Sequence, residues 1–192
     1  MKKAFILILS LYSFLACEKE PETKKPIALE TKIVSNINAS LANYQLFSFA
    51  TGDTVPIADS ATTKWDIGFK TTTIIFNGGT SGPGNAGVII KDALFSEVKV
   101  ADESGYVQDN ASAKAIPTGS DNGWYNYSGD PTHLITPLAG KVFVVKTATG
   151  NYAKFQVISY YKDAPATPVY TEGSKYYTIR YVYQPDGSKD LK

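Results

Sequence analysis

The chain has 192 residues, with 19 basic and 18 acidic side chains, a formal net charge of +1 and one cysteine. Near-balance of charge excludes the basic patch or stripe that nucleic-acid binding asks for, and one cysteine excludes an intrachain disulfide framework or a thiolate metal cage. The length is that of one domain.

Lys2 and Lys3 form a short positive region ahead of an apolar run from Ala4 to Leu15. About a dozen apolar residues suit a secretory signal and fall short of the ~20 that a spanning helix needs. The run ends Phe14-Leu15-Ala16-Cys17, a small residue before the only cysteine. This resembles the lipobox of bacterial lipoproteins, with Phe14 in place of the usual leucine. The expectation is a signal peptide over 1–16 and a lipid anchor on Cys17 that holds the chain to a membrane. The stretch Glu18-Lys19-Glu20-Pro21-Glu22 resembles the acidic export signals of surface lipoproteins in the Bacteroidetes group. Residues 17–32 are charged and proline-containing, which predicts a lipidated cysteine followed by a flexible tether, with one domain over 33–192. Removing Lys2 and Lys3 from the 19 basic residues leaves 17 against 18 acidic ones, a formal charge of −1. The processed chain keeps no methionine and one histidine, His133.

From residue 33 onward, short apolar runs alternate with Gly, Asn, Asp and Pro, and no convincing helix-period stretch appears. Gln45 to Phe49 predicts a strand. In Trp65 to Lys70, alternation places Trp65, Ile67 and Phe69 on one face and Asp66, Gly68 and Lys70 on the other; Thr71 to Phe76 reads as its β-branched continuation. Gly87 to Ile90 predicts another strand, and Leu94 to Val98 is long enough only for a short helix. Lys141 to Lys146 and Tyr152 to Tyr161 flank a Gly-containing loop, as in a hairpin. In the segment Tyr176 to Tyr183, the side chains of Tyr177, Ile179, Tyr181 and Tyr183 line one face, before an Asp186-Gly187 turn. The expected fold is all-β, a single sandwich-like antiparallel domain with long loops.

The candidate chemistry is sparse. Gly82 to Gly87 matches G-x-G-x-x-G, but a dinucleotide site needs a helix directly after the glycines, and Val88-Ile89-Ile90 is strand-like. The glycines therefore read as positions of positive φ or close backbone approach. A catalytic triad would have to use His133, and no G-x-S-x-G is present. Asp121 and Asp130 can be drawn as a hydrolytic carboxylate pair, with nothing to select them from other loop acids. The expectation is no enzyme. His133 itself lies in an aromatic loop, Trp124-Tyr125-Asn126-Tyr127 through Thr136-Pro137. Imidazole or tyrosinate can ligate haem iron, and flat rings can stack on a macrocycle; an imidazole bonded within its own loop is the plainer reading.

The order NYQLFSFATG (43–52), TKWDIGFKTTTIIFNGGTSGPGNAG (63–87), KVFVVKTATGNYAKFQVISYY (141–161) and YYTIRYVYQPDGS (176–188) resembles the HmuY family, haem-binding surface lipoproteins of Bacteroidetes. The resemblance spans about residue 33 to the end, and WDIGF joined to NGGTSG is its most specific part. It implies an all-β fold with haem held between finger-like loops. It also implies haem capture from host haemoproteins and delivery to a TonB-dependent outer-membrane receptor.

Characterised members hold the iron between two histidines or two methionines, and this chain supplies neither pair. His133 is then the haem-ligand candidate, with Tyr125, Tyr127 or Tyr161 as second ligand or stacking partner. Five-coordinate haem and no haem at all stay open. In the last case the chain is a surface adhesion or accessory module on the same fold. Arg180, the only arginine, reads as a strand-surface residue rather than a propionate partner.

Overall fold

The structure is a computed structural model that describes residues 28–169 and 171–192. The signal peptide expected over 1–16, Cys17 and the tether up to residue 27 lie outside the described residues. Among the described residues there are strands and one short 3-10 turn, Ile57–Asp59, but no α-helix.

The strands are β1 (Lys32–Asn38), β2 (Gln45–Ser48), β3 (Asp53–Val55), β4 (Ile67–Lys70), β5 (Thr73–Phe76), β6 (Gly87–Asp92), β7 (Tyr125–Tyr127), β8 (Ile135–Pro137), β9 (Lys141–Lys146), β10 (Tyr152–Tyr161) and β11 (Ser174–Gln184). They form a five-stranded sheet in the order β1-β11-β10-β9-β6, a four-stranded sheet β3-β2-β4-β5 and a two-stranded ribbon β7-β8, with antiparallel pairing throughout. The expected hairpin is present: Lys146 pairs with Tyr152 across the Thr147–Asn151 loop.

Alternation explains the main core. Phe47 and Phe49, Ile67 and Phe69, and Ile74 and Phe76 from the smaller sheet meet Phe143, Phe155, Tyr177, Ile179 and Tyr181 from the larger one. Aromatic rings bridge the layers, with Phe69 4.7 Å from Tyr177 and Phe47 edge-on to Tyr181 at 5.8 Å between centroids. The opposite face of the larger sheet is covered too. Val142, Val144 and Val182 pack under Phe95, Val98, Ala101 and the C-terminal Leu191. Strand β9 is thus buried on both faces, the reason its apolar run Val142 to Val145 is unbroken.

Three expectations change. Thr71 to Phe76 does not continue β4: Thr71 adopts φ 48°, Lys70 pairs with Thr73, and β5 folds back as the second arm of a hairpin. β-Branched composition alone cannot distinguish one long strand from two short ones. Trp65 does not share a cluster with Ile67 and Phe69. It packs with Leu46, Val55 and Ile75 on the outer side of the smaller sheet, because regular pairing begins only at Ile67. Leu94 to Val98 is a turn closed by the Glu97 N–H donating to Leu94 O, not a helix.

Candidate functional site

The site is built on the β7–β8 ribbon, a short finger whose base is rigid. Trp124, 1% exposed, packs on Tyr125, Tyr160 and Tyr177 with ring centroids 4.8–5.5 Å away. Its indole N–H donates to Thr72 O at 2.8 Å. On β8 the Ile135 N–H donates to the Tyr161 hydroxyl oxygen at 2.9 Å. Burial, reinforced by neighbouring tyrosines, pushes the Tyr160 and Tyr177 hydroxyls well above the ordinary phenol value. These rings are neutral structural phenols, not tyrosinates available to a metal.

Tyr125 and Tyr127 are two residues apart and so share one face of β7, but Tyr125 sits at the base against Trp124 while Tyr127 stands nearer the tip, 8% and 43% exposed. The tip, residues 128–134, is tied by its own polar groups. Ser128 N–H donates to Leu134 O at 2.9 Å, and Leu134 N–H returns a bond to Ser128 Oγ at 2.8 Å. His133 N–H donates to Gly129 O at 2.7 Å, and His133 sits at φ 49°. This left-handed backbone is sparsely populated by non-glycine residues and marks a position that its surroundings over-determine.

The result is one defined constellation. The Tyr127 hydroxyl lies 2.5 Å from His133 Nδ1, and the two rings are inclined by 30°. The Asp130 carboxylate is 3.6 Å from His133 Nε2. The histidine side chain is 38% exposed and that of Asp130 90%. Of the three candidate tyrosines, the structure brings only Tyr127 to His133. Tyr125 and Tyr161 pack in the core, and Tyr161 spends its oxygen on a backbone N–H. Asp121 and Asp130 do not act as a pair: Asp121 receives both of its Asn126 contacts, at 3.0 and 3.1 Å, while Asp130 faces the imidazole. Sequence reasoning passed over Asp130 as a neighbour of His133; its place three residues earlier, in a loop that must turn back, was the available signal.

A tyrosine oxygen 2.5 Å from Nδ1 leaves no room for iron between those two atoms, so Tyr127 is an orienting partner and not the ligand opposite. Both imidazole nitrogens thus have polar neighbours within the finger, the Tyr127 hydroxyl at Nδ1 and the Asp130 carboxylate at Nε2. Among the described residues no group of three or more His, Cys, Asp or Glu could hold a bare metal ion. A porphyrin brings its own ring nitrogens and asks the protein only for axial ligands.

The comparisons agree with the fold. None of the curated proteins matches the chain. Among solved structures, an apo HmuY analog from Tannerella forsythia aligns with TM-score 0.53 and 18% identity over 84% of this chain and 98% of that one. Apo PinO from Porphyromonas gingivitis aligns with TM-score 0.55 and 18% identity over 81% and 98%. A candidate HmuY-like haem-binding protein from Bacteroides vulgatus gives 0.53 and 20% over 81% and 93%. The family model described as HmuY protein matches residues 40–181. That is well over half of the 192 residues, and the chain belongs to the HmuY family.

Proposed function

We propose that this protein is a lipid-anchored surface protein of the outer membrane that binds haem through His133. In this reading it takes haem from host haemoproteins and passes it to a TonB-dependent receptor, without catalysis. The observation that carries the reading is the Tyr127–His133 pair, at 2.5 Å on an exposed finger with a buried aromatic base. Family membership and the haem-binding description of the Bacteroides vulgatus relative support it.

His133 would hold the haem through Nε2, and Tyr127 would fix the ring orientation through Nδ1. Asp130, whose carboxylate is 3.6 Å from Nε2 and 90% exposed, would have to move aside for a ligand at that nitrogen. When bound, haem supplies iron and a strong Soret absorption. Tyr125 and Tyr161 are committed to the core, so among the three candidate tyrosines and His133 only the imidazole would be offered to the haem.

Haemin titration of the processed chain tests this. A Soret band should saturate at one equivalent and be lost in His133→Ala. Unchanged absorption with the wild type would sink the reading and leave the adhesion or accessory module in its place. Tyr127→Phe removes only the oxygen that orients the imidazole, and losing a group that holds a metal-ligating histidine in place typically costs about 10–100-fold in metal affinity. The variant is expected to bind haemin about tenfold more weakly with the Soret band retained. Affinity equal to wild type would show that the 2.5 Å contact has no orienting role.

A further inference from the structure

A groove of about 560 Å³ lies on the outer face of the five-stranded sheet, far from His133 in the chain, where the domain's first residues, the 94–99 turn and the C-terminus converge. Its wall is apolar, with Phe95 and Leu191 buried and Leu29 partly buried. Its floor is cationic. Lys154 is 3% exposed and is one of the residues that line the groove. Two of its three N–H bonds go to Phe95 O at 3.0 Å and Val98 O at 2.6 Å. Arg180 lies beside it, so that Lys154 Nζ and the Arg180 guanidinium both sit over the Phe95 ring, at 4.6 and 4.5 Å. Exposed Lys99 stands at the rim.

Among the described residues no carboxylate lies within ion-pairing distance of Lys154, Arg180 or Lys99. Asp190, whose charge reaches Lys154, is within ion-pairing distance only of Lys192, at 3.7 Å. Arg180 spends Nε and one terminal nitrogen on the neutral Gln156 oxygen. Burial, and then the nearby guanidinium, lower the Lys154 pKa. Carbonyl dipoles and a ring face compensate a buried ammonium only in part, and an uncompensated buried charge is costly. An anion seated here gains from both cations at once, and guanidinium geometry suits carboxylate and phosphate oxygens.

We propose that this groove is a binding site for an amphiphilic anion, a carboxylate or phosphate monoester whose head meets Lys154 and Arg180 and whose apolar body lies along Phe95, Leu29 and Leu191. The site is independent of the haem reading and survives its failure. Two sources share this chemistry, a free amphiphile and a phospholipid.

Calorimetric titration of the mature polypeptide, residues 17–192 made without acylation, tests the site. The probes are laurate and dodecyl phosphate below their micellar concentrations. Both are expected to bind, with inorganic phosphate and decanol at least tenfold weaker, since each offers only half of the match. Dihexanoyl phosphatidic acid tighter than laurate assigns the site to lipid; the reverse assigns it to free amphiphiles. Lys154→Met should weaken laurate at least tenfold with the circular dichroism unchanged. Lys99→Ala, at the surface, should weaken it severalfold even if the buried variant fails to fold. No binding of either amphiphilic anion, decanol binding as tightly as laurate, or affinity unmoved by Lys99→Ala in a folded chain overturns the proposal.

Discussion

Replacing Asp66 with alanine is expected to cost about 3–4 kcal/mol of stability, because two buried N–H groups lose their acceptor at about 1–3 kcal/mol each. Asp66 is 5% exposed. One carboxylate oxygen accepts the Phe49 N–H at 2.9 Å and the other the Ala148 N–H at 3.0 Å. A single side chain thus ties the end of β2 to the β9–β10 hairpin, joining the two large sheets at their rim. Asn is no remedy, since its amide would turn a donor toward one of two donors, and Asp66→Asn should also lose stability. Urea unfolding followed by circular dichroism measures both variants; a loss under 1 kcal/mol for alanine would refute the role.

The same residue sets a pH dependence. Burial pushes the Asp66 carboxyl above its ordinary value, and the Ala148 and Phe49 N–H groups, which pull it down, do not cancel that effect. The folded state therefore holds the proton to higher pH than the unfolded state. Stability from this group is complete below the unfolded carboxyl value of ~3.9 and is lost as pH rises through the raised folded value. The difference in stability between wild type and Asp66→Ala should accordingly shrink from pH 4 toward neutrality. A difference that grows over that range would contradict the sign.

Gly79→Ala is expected to cost about 3 kcal/mol, combining an unfavourable left-handed backbone with overpacking of about 1–3 kcal/mol. Gly79 has φ 59°, and an added Cβ would stand 1.9 Å from the Asp109 carbonyl oxygen. That approach lets the Thr80 N–H donate to the same oxygen at 3.0 Å. Asp109 cannot yield, since it is 2% exposed and its carboxylate accepts the Phe76 and Ala115 N–H groups at 3.0 and 2.8 Å. Gly150 is the internal control. Its φ is 91°, but nothing lies within 4 Å of an added Cβ, so Gly150→Ala carries only the backbone cost of about 1 kcal/mol. Thermal unfolding should give Gly79→Ala the lower midpoint by several degrees; equal midpoints would mean that the close approach relaxes freely.

The glycine-rich segment 78–87 shows how far reasoning from residue order could go. Its lack of a following helix excluded a phosphate loop, and close backbone approach was one of two alternatives for its glycines. Gly82 and Gly84 are packed against Asn77 at distances no Cβ could share, without positive φ, whereas Gly79 needs both. Which requirement holds at which glycine depends on Asn77, Asp109 and Ala148, none of them a sequence neighbour of the glycine concerned.

Period-2 alternation is a local property, so β2, β4, β6, β9, β10 and β11, the β9–β10 hairpin and the buried stripe Tyr177, Ile179, Tyr181 could be read directly from residue order, whereas β1, β3, β7 and β8 carry too little alternation to be read that way. So could His133 as the sole imidazole and the aromatic loop that carries it. Polar groups follow a different rule, since a buried charge is explained by partners that can lie anywhere in the chain. Asp66 looked like the outward face of a strand until Ala148, 82 positions away, supplied its N–H. Arg180 reads as a strand-surface residue in the sequence; the 94–99 turn that closes over the sheet sets the Phe95 ring against it. Tyr127, Tyr125 and Tyr161 were equivalent as partners of His133. Packing of Tyr125 on Trp124 and the bond from the Ile135 N–H to Tyr161 hold those two rings at the base, while the closed 128–134 tip turns His133 back onto Tyr127; these contacts join separate segments of the chain, and no local period encodes them.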